Sequence, residues 1–260
     1  MVFVERVKTH FRFEQRELID LAIVSLCFGF ILSFRDWGSE NAVDVTFGLI
    51  NFINASLIVF FSMVVTIIFQ KLFAIKRAHT VNFRAWYFGL GISLYLGFIS
   101  LGSWLLFLPG GLIFNTVRQF KLGTQYEGNL LHASRAYIAL VGPLIHVLLA
   151  YIFYLLNSNG ITNYLIQKGI TLNLILAVIT ILPIPQVEAL FKMVSKHIKH
   201  TINLDGFYIF YHSRIFYIFS LALVIALVVL LFQVHVLFAL LIAAILAGTI
   251  ALFYTFAQEL

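Results

Sequence analysis

Six apolar runs, at about residues 18–34, 46–70, 137–157, 165–185, 211–232 and 235–257, are each long enough as a helix to cross a hydrocarbon layer roughly 30 Å thick. Lipid offers the backbone no hydrogen-bond partners, so runs of this length are predicted to be α-helical throughout. The sequence therefore predicts an all-α polytopic membrane protein with about six transmembrane helices. With 62% hydrophobic and only 11% charged residues, the chain is not read as a soluble domain. The net charge of +6 accordingly marks topology and attraction to anionic headgroups rather than nucleic acid. The lipid bilayer is the partner that composition alone implies.

A seventh apolar stretch, Trp86 to Phe114, resists assignment to one straight helix. Gly89, Gly91, Gly97, Gly102, Pro109, Gly110 and Gly111 punctuate it. Charge arbitrates. A single crossing would place Lys192, Lys196 and Lys199 on the side opposite the basic N-terminal segment, against the positive-inside tendency. If residues 86–114 instead enter and return, Arg84, Arg118, Arg135 and Lys196 share one face with that segment, and only Arg35 and Lys168 lie outside. The expectation is a re-entrant or hairpin element shielded by the bundle, with both termini cytoplasmic.

No repeat or long linker divides the chain. Residues 1–17 mix Glu with Arg and Lys among Val2, Phe3, Val4, Val7, Phe11 and Phe13, and are read as an interfacial segment rather than a signal peptide. Residues 18–260 form one transmembrane domain ending in a helix pair over 211–257. The single cysteine, Cys27, excludes an intramolecular disulfide and any Cys-based zinc site.

The run over 165–185 ends at Pro183-Ile184-Pro185, and Glu188 follows about one turn later. Prolines free backbone groups that must find partners inside protein or a wet cavity, so the break is expected to face inward. A carboxylate there is either functional or at the membrane surface.

Three segments, in order, resemble the site-2 protease family of intramembrane zinc metalloproteases, particularly its archaeal-type members. Ala139-Leu-Val-Gly142-Pro143-Leu-Ile-His146 is similar to that family's "AGPLxN" helix. Asn173 to Ala177 with Leu182-Pro183-Ile-Pro185-Gln-Val-Glu188-Ala189 resembles its "N-L-x-P-I-P-P-L-D-G" helix. Lys71 to Lys76, then Phe83-Arg-Ala-Trp86 and Leu108-Pro-Gly-Gly111, resemble the stretch after its zinc-binding helix. The resemblance covers about residues 46–195 and implies a site-2-protease-like core there.

That family needs two imidazoles one helical turn apart, a glutamate beside the first, and a distant carboxylate as third zinc ligand. Setting Lys71 against the basic residue after the second histidine places HExxH on Thr66-Ile67-Ile68-Phe69-Gln70. Thr66 and Gln70 keep the i, i+4 spacing, but hydroxyl and carboxamide are poor zinc ligands. By the same resemblance Glu188 stands for the ligand aspartate, Ala189 for the glycine after it, and Thr180 for an asparagine. The expectation is a pseudoenzyme with no metal and no cofactor. Its catalytic positions would be degenerate at Thr66, Ile67, Gln70 and Glu188, and its groove lined by His146, Thr180, Pro183, Pro185 and Glu188.

Other candidates have plainer readings. His146 is either half of a surviving pair with Glu188 or a hydrogen-bonded interior histidine. His197 and His200 lie among Lys196 and Lys199 on a basic face. Leu204-Asp205-Gly206 repeats the family's "LDG", but its setting beside Thr201 and Asn203 reads as a turn. Asn51 and Asn54 suit interhelical hydrogen bonds. Two functions fit: a non-catalytic protease-like protein that binds a transmembrane helix or acts as a scaffold in a membrane complex, and a transporter, channel or lipid-handling protein using the broken helix and Glu188. An active metalloprotease with an atypical site is the third.

Overall fold

The computed structural model describes residues 2–39, 42–116, 127–185, 203–230, 232–233 and 236–259. In chain order the elements are α1 (Val2–His10), α2 (Gln15–Ser33), β1 (Gly38–Ser39), β2 (Ala42–Val43), α3 (Val45–Lys76), β3 (His79–Ala85), α4 (Tyr87–Ile99), β4 (Gly110–Thr116), α5 (Glu127–Ser158), α6 (Tyr164–Ile181), α7 (Asp205–His212), α8 (Arg214–Leu230) and α9 (Val236–Glu259). Four of these contain stretches long and apolar enough to cross a membrane: Val45–Lys76, His132–Ser158, Tyr164–Ile181 and Phe238–Thr255. The chain is a membrane protein built mainly of helices. Two of the expected runs take other forms. The run at 18–34 belongs to α2, whose first turns carry Arg16, Glu17 and Asp20, and the run at 211–232 is split at Ser213, leaving α8 with 17 residues.

The helices are joined by two antiparallel two-stranded sheets, β1 with β2 and β3 with β4, which an all-α reading does not anticipate. The segment His79-Thr-Val-Asn-Phe-Arg-Ala85 alternates buried and half-buried along β3, the period of a strand with one face on the core. Ala78, at φ 58°, turns the chain out of α3 into that strand. Because Ala85 pairs with Gly110, everything between them leaves and comes back to one place. The excursion runs the length of α2. Gly97 of α4 faces Ile31, Gly102 faces Phe34, and the returning Phe107 packs on Phe28 with ring centroids 4.8 Å apart.

Charges fix the hairpin's near end to the start of α2. Glu17, buried, accepts the Phe83 N–H at 2.8 Å and pairs with Lys71 of α3 at 3.0 Å. Asp20 accepts the Tyr87 hydroxyl at 2.6 Å, and Glu14 pairs with Arg84 at 2.7 Å. Lys71 also donates to the carbonyls of Arg12 and Val81. Buried charges need such company, since an unpaired ion in this setting would cost several kcal/mol.

Arg135 lies over Phe114 of β4 and Arg77 over Tyr137, so these cations gather at the hairpin's near end with Arg84. At the other end of α2, Arg35 donates to Leu101 O and to the Ser103 hydroxyl, while Lys168 and the Tyr164 hydroxyl meet on Asp36. Arg118, Lys192, Lys196 and Lys199 lie outside the described residues.

α3, α5 and α6 form the centre of the bundle. Pro143 falls inside α5 and is accommodated there. α6 ends where Leu182 turns extended ahead of Pro183. Its last carbonyls are met by Gly206: a Cβ on that residue would lie 2.0 Å from Ile181 O and 2.6 Å from Leu182 O. The broken end of α6 therefore seats the first turn of α7. α8 and α9 pack together through Ala239, Ala243 and Ala247, small residues one turn apart that let the backbones approach. The opposite face of α9, including Leu241, Ile245 and Phe253, is exposed, as suits a helix against lipid.

Candidate functional site

Four helices and the hairpin converge on one small cavity of about 30 Å³. α3 supplies Met63, Thr66, Ile67 and Gln70, whose three- and four-residue spacing sets them on one face. His146 comes from α5, Thr180 from α6, and Leu204 and Asp205 from the start of α7. Phe83 and the Gly110–Leu112 edge of the hairpin close it. Residues as distant in sequence as Met63 and Asp205 thus share one space because α6 breaks and α7 begins beside it.

The polar groups are ordered. Gln70 Nε2 donates to Asp205 Oδ2 at 2.8 Å, both residues being buried. Asn173 gives its two amide hydrogens to Ser62 Oγ at 2.9 Å and Gly169 O at 2.8 Å, which leaves its Oδ1 to accept from His146 Nδ1 at 2.9 Å. His146 therefore carries its hydrogen on Nδ1, and its Nε2 is a lone-pair acceptor. The Thr66 and Thr180 hydroxyls donate back into their own helices, to Ser62 O and Leu176 O. Gly142, in the Gly-Pro-Leu turn of α5, makes the room: a Cβ there would sit 2.2 Å from Asp205 Oδ2 and 2.6 Å from Gln70 Nε2.

Asp205 corrects the turn reading. It opens a helix, is 8% exposed, and its Oδ1 has no partner among the described residues. α7 is not among the helices long enough to span, and burial there pushes the Asp205 carboxyl up to about 7, with the Gln70 amide pulling the other way. Of the expected site residues, Thr66, Ile67, Gln70, His146 and Thr180 come together. Pro183 and Pro185 end α6 and do not line the cavity. Glu188 lies outside the described residues, as do His197 and His200.

A comparison with curated proteins decides the lineage. The "Putative zinc metalloprotease" of Methanocaldococcus jannaschii is 31% identical over 180 residues, covering 67% of this chain and 82% of that protein. The chain belongs to the site-2 protease family. No family profile matches it, and no solved structure does. The family resemblance raises the question of zinc, and the donors of this cavity do not fit it. Thr66 and Gln70 present a hydroxyl and a carboxamide, and Gln70 spends its amide on the one carboxylate in place. Among the described residues no three His, Cys, Asp or Glu side chains gather to hold a metal. The Leu-Asp-Gly triplet at 204–206 was the available sequence signal for Asp205; its polar neighbours obscured it.

Proposed function

We propose that this protease-like membrane protein is a non-catalytic site-2 protease relative, which binds a transmembrane helix or serves as a scaffold in a membrane complex. The observation that carries this reading is the Gln70–Asp205 hydrogen bond, which ties α3 to α7 and engages the carboxylate that a metal in this cavity would need. The fold is kept, and a neutral amide takes over the contact. Recognition of a client helix needs only the groove around the cavity.

In the same proposal α2, α3, α5, α6, α8 and α9 cross the bilayer, and residues 86–114 enter and return. The opposed placement of Arg84, Arg77 and Arg135 against Arg35 and Lys168 supports that arrangement, with the cation-rich end and both termini cytoplasmic. Residues 1–17 lie at the membrane surface.

The test is elemental analysis of the purified chain together with proteolysis assays on single-span substrates. The expected result is no stoichiometric zinc and no cleavage, with capture of a transmembrane partner by crosslinkers placed around the cavity. About one zinc per chain, lost on His146→Ala or Asp205→Ala, would overturn the reading.

A further inference from the structure

A second pocket, of about 390 Å³, opens on the cation-rich end of the bundle, between α1, the linker after it, the last turns of α3 and the β3–β4 hairpin. Its walls are polar. Thr80 and Asn115 are direct partners across the strand pair, so both side chains leave the same face of the hairpin, and Thr9 faces them from α1. His10, Arg12 and Lys71 are the basic groups of the lining and Glu14 its single acid.

The acid does not set the pocket's charge, because Glu14 is engaged by Arg84 at 2.7 Å and by Asn82 Nδ2 at 2.6 Å. Lys71 is likewise consumed, on Glu17 and on the carbonyls of Arg12 and Val81. The Arg12 guanidinium differs. Arg12 lines the pocket as an exposed residue, and its guanidinium has no side-chain partner among the described residues. A guanidinium fork, a hydroxyl and a carboxamide around an open volume of this size match a tetrahedral oxyanion carrying a small substituent better than a cation or an apolar group.

We propose that this pocket binds a phosphate group, with Arg12, Thr80 and Asn115 as its donors. Two sources share that chemistry: the headgroup of an anionic phospholipid, and a soluble phosphate compound. The site is separate from the cavity of Gln70 and Asp205 and does not depend on whether the chain cleaves anything.

The full chain is placed in nanodiscs of phosphatidylcholine, with and without phosphatidic acid, and inorganic phosphate is titrated into the neutral discs. Binding is read by thermal unfolding and by native mass spectrometry. Arg12→Gln, the pair Thr80→Val with Asn115→Leu, and Lys8→Gln, a surface cation outside the pocket, are compared. Saturable stabilisation by phosphatidic acid that weakens roughly 10- to 100-fold in Arg12→Gln, but not in Lys8→Gln, supports a headgroup site. Stabilisation by inorganic phosphate alone, with the same loss, supports a soluble ligand in the same pocket. The proposal is overturned if neither probe binds, or if Arg12→Gln, unfolding normally in neutral discs, binds as the parent or loses no more than Lys8→Gln.

Discussion

Gln70 and Asp205 are 135 residues apart in sequence and 2.8 Å apart in space, and the bond between them is the polar tie between α3 and α7. Its energetics are asymmetric. Removing Gln70 leaves a buried carboxylate with both oxygens unmet, whereas removing both partners together leaves an apolar contact. Gln70→Leu should therefore lower stability in detergent by about 2 kcal/mol or more, and Gln70→Leu with Asp205→Leu by less than that single change. Denaturant midpoints of the parent, single and double variants check this; a double variant less stable than Gln70→Leu alone would refute it.

The same geometry predicts that a zinc site can be built. Thr66→His, Ile67→Glu and Gln70→His would place two imidazoles and a base on one face of α3, across from Asp205. The triple variant is expected to bind about one zinc per chain by elemental analysis, falling when Asp205→Ala is added. If zinc binds equally well without Asp205, the third ligand lies elsewhere, and Glu188 becomes the residue to examine.

Much of this site was legible in sequence, and the part that was not has a physical cause. Thr66, Gln70, His146 and Thr180 follow from family motifs that sit on long regular helices, where spacing determines facing. Asp205 does not, because its position depends on how a chain returns after a broken helix, and its polar neighbours imitate a loop. Glycines and the charge balance point to an element at 86–114 that leaves and returns, but not to the β3–β4 strand pair that bounds it. Its strands are short, and Gly110 and Gly111 are required by contacts distant in sequence: a Cβ on Gly111 would lie 1.9 Å from Asn203 O. Likewise Glu17 and Asp20 look like surface charges before a span, yet both are buried by β3 and Tyr87.

The Glu17–Lys71 pair carries a prediction of its own. Lys71→Met strands a fully buried carboxylate against the hairpin, and should cost on the order of 3–5 kcal/mol. Because Glu17 also holds the Phe83 N–H, the loss is expected to loosen β3 first. Hydrogen exchange at Val81 and Phe83 should rise more than exchange within α6; uniform loosening would argue against a local role.

Topology can be read chemically. In a Cys27→Ser background, single cysteines at Arg84, Arg118, Arg135 and Lys196 should react with an impermeant reagent from one side, and cysteines at Arg35 and Lys168 from the other. Reaction of positions 84 and 118 from opposite sides would mean that residues 86–114 cross once.

The break at Pro183 and Pro185 should matter for folding more than for binding. α6 must stop at Ile181 so that Gly206 can meet its last carbonyls, and any continued helix would occupy the space of α7's first turn. Pro183→Ala with Pro185→Ala allows that continuation, so folded yield after detergent extraction should drop. Gly206→Ala should do the same by steric means, since its new methyl would lie 2.0 Å from Ile181 O, whereas Gly248→Ala, with nothing within 4 Å, should be neutral. Glu188→Ala is expected to extract normally and to weaken only the capture of a crosslinked partner. Size-exclusion profiles and crosslink yields measured on the same preparations separate the two effects. Normal folding of the double proline variant would show that the chain leaves α6 for a reason other than its prolines.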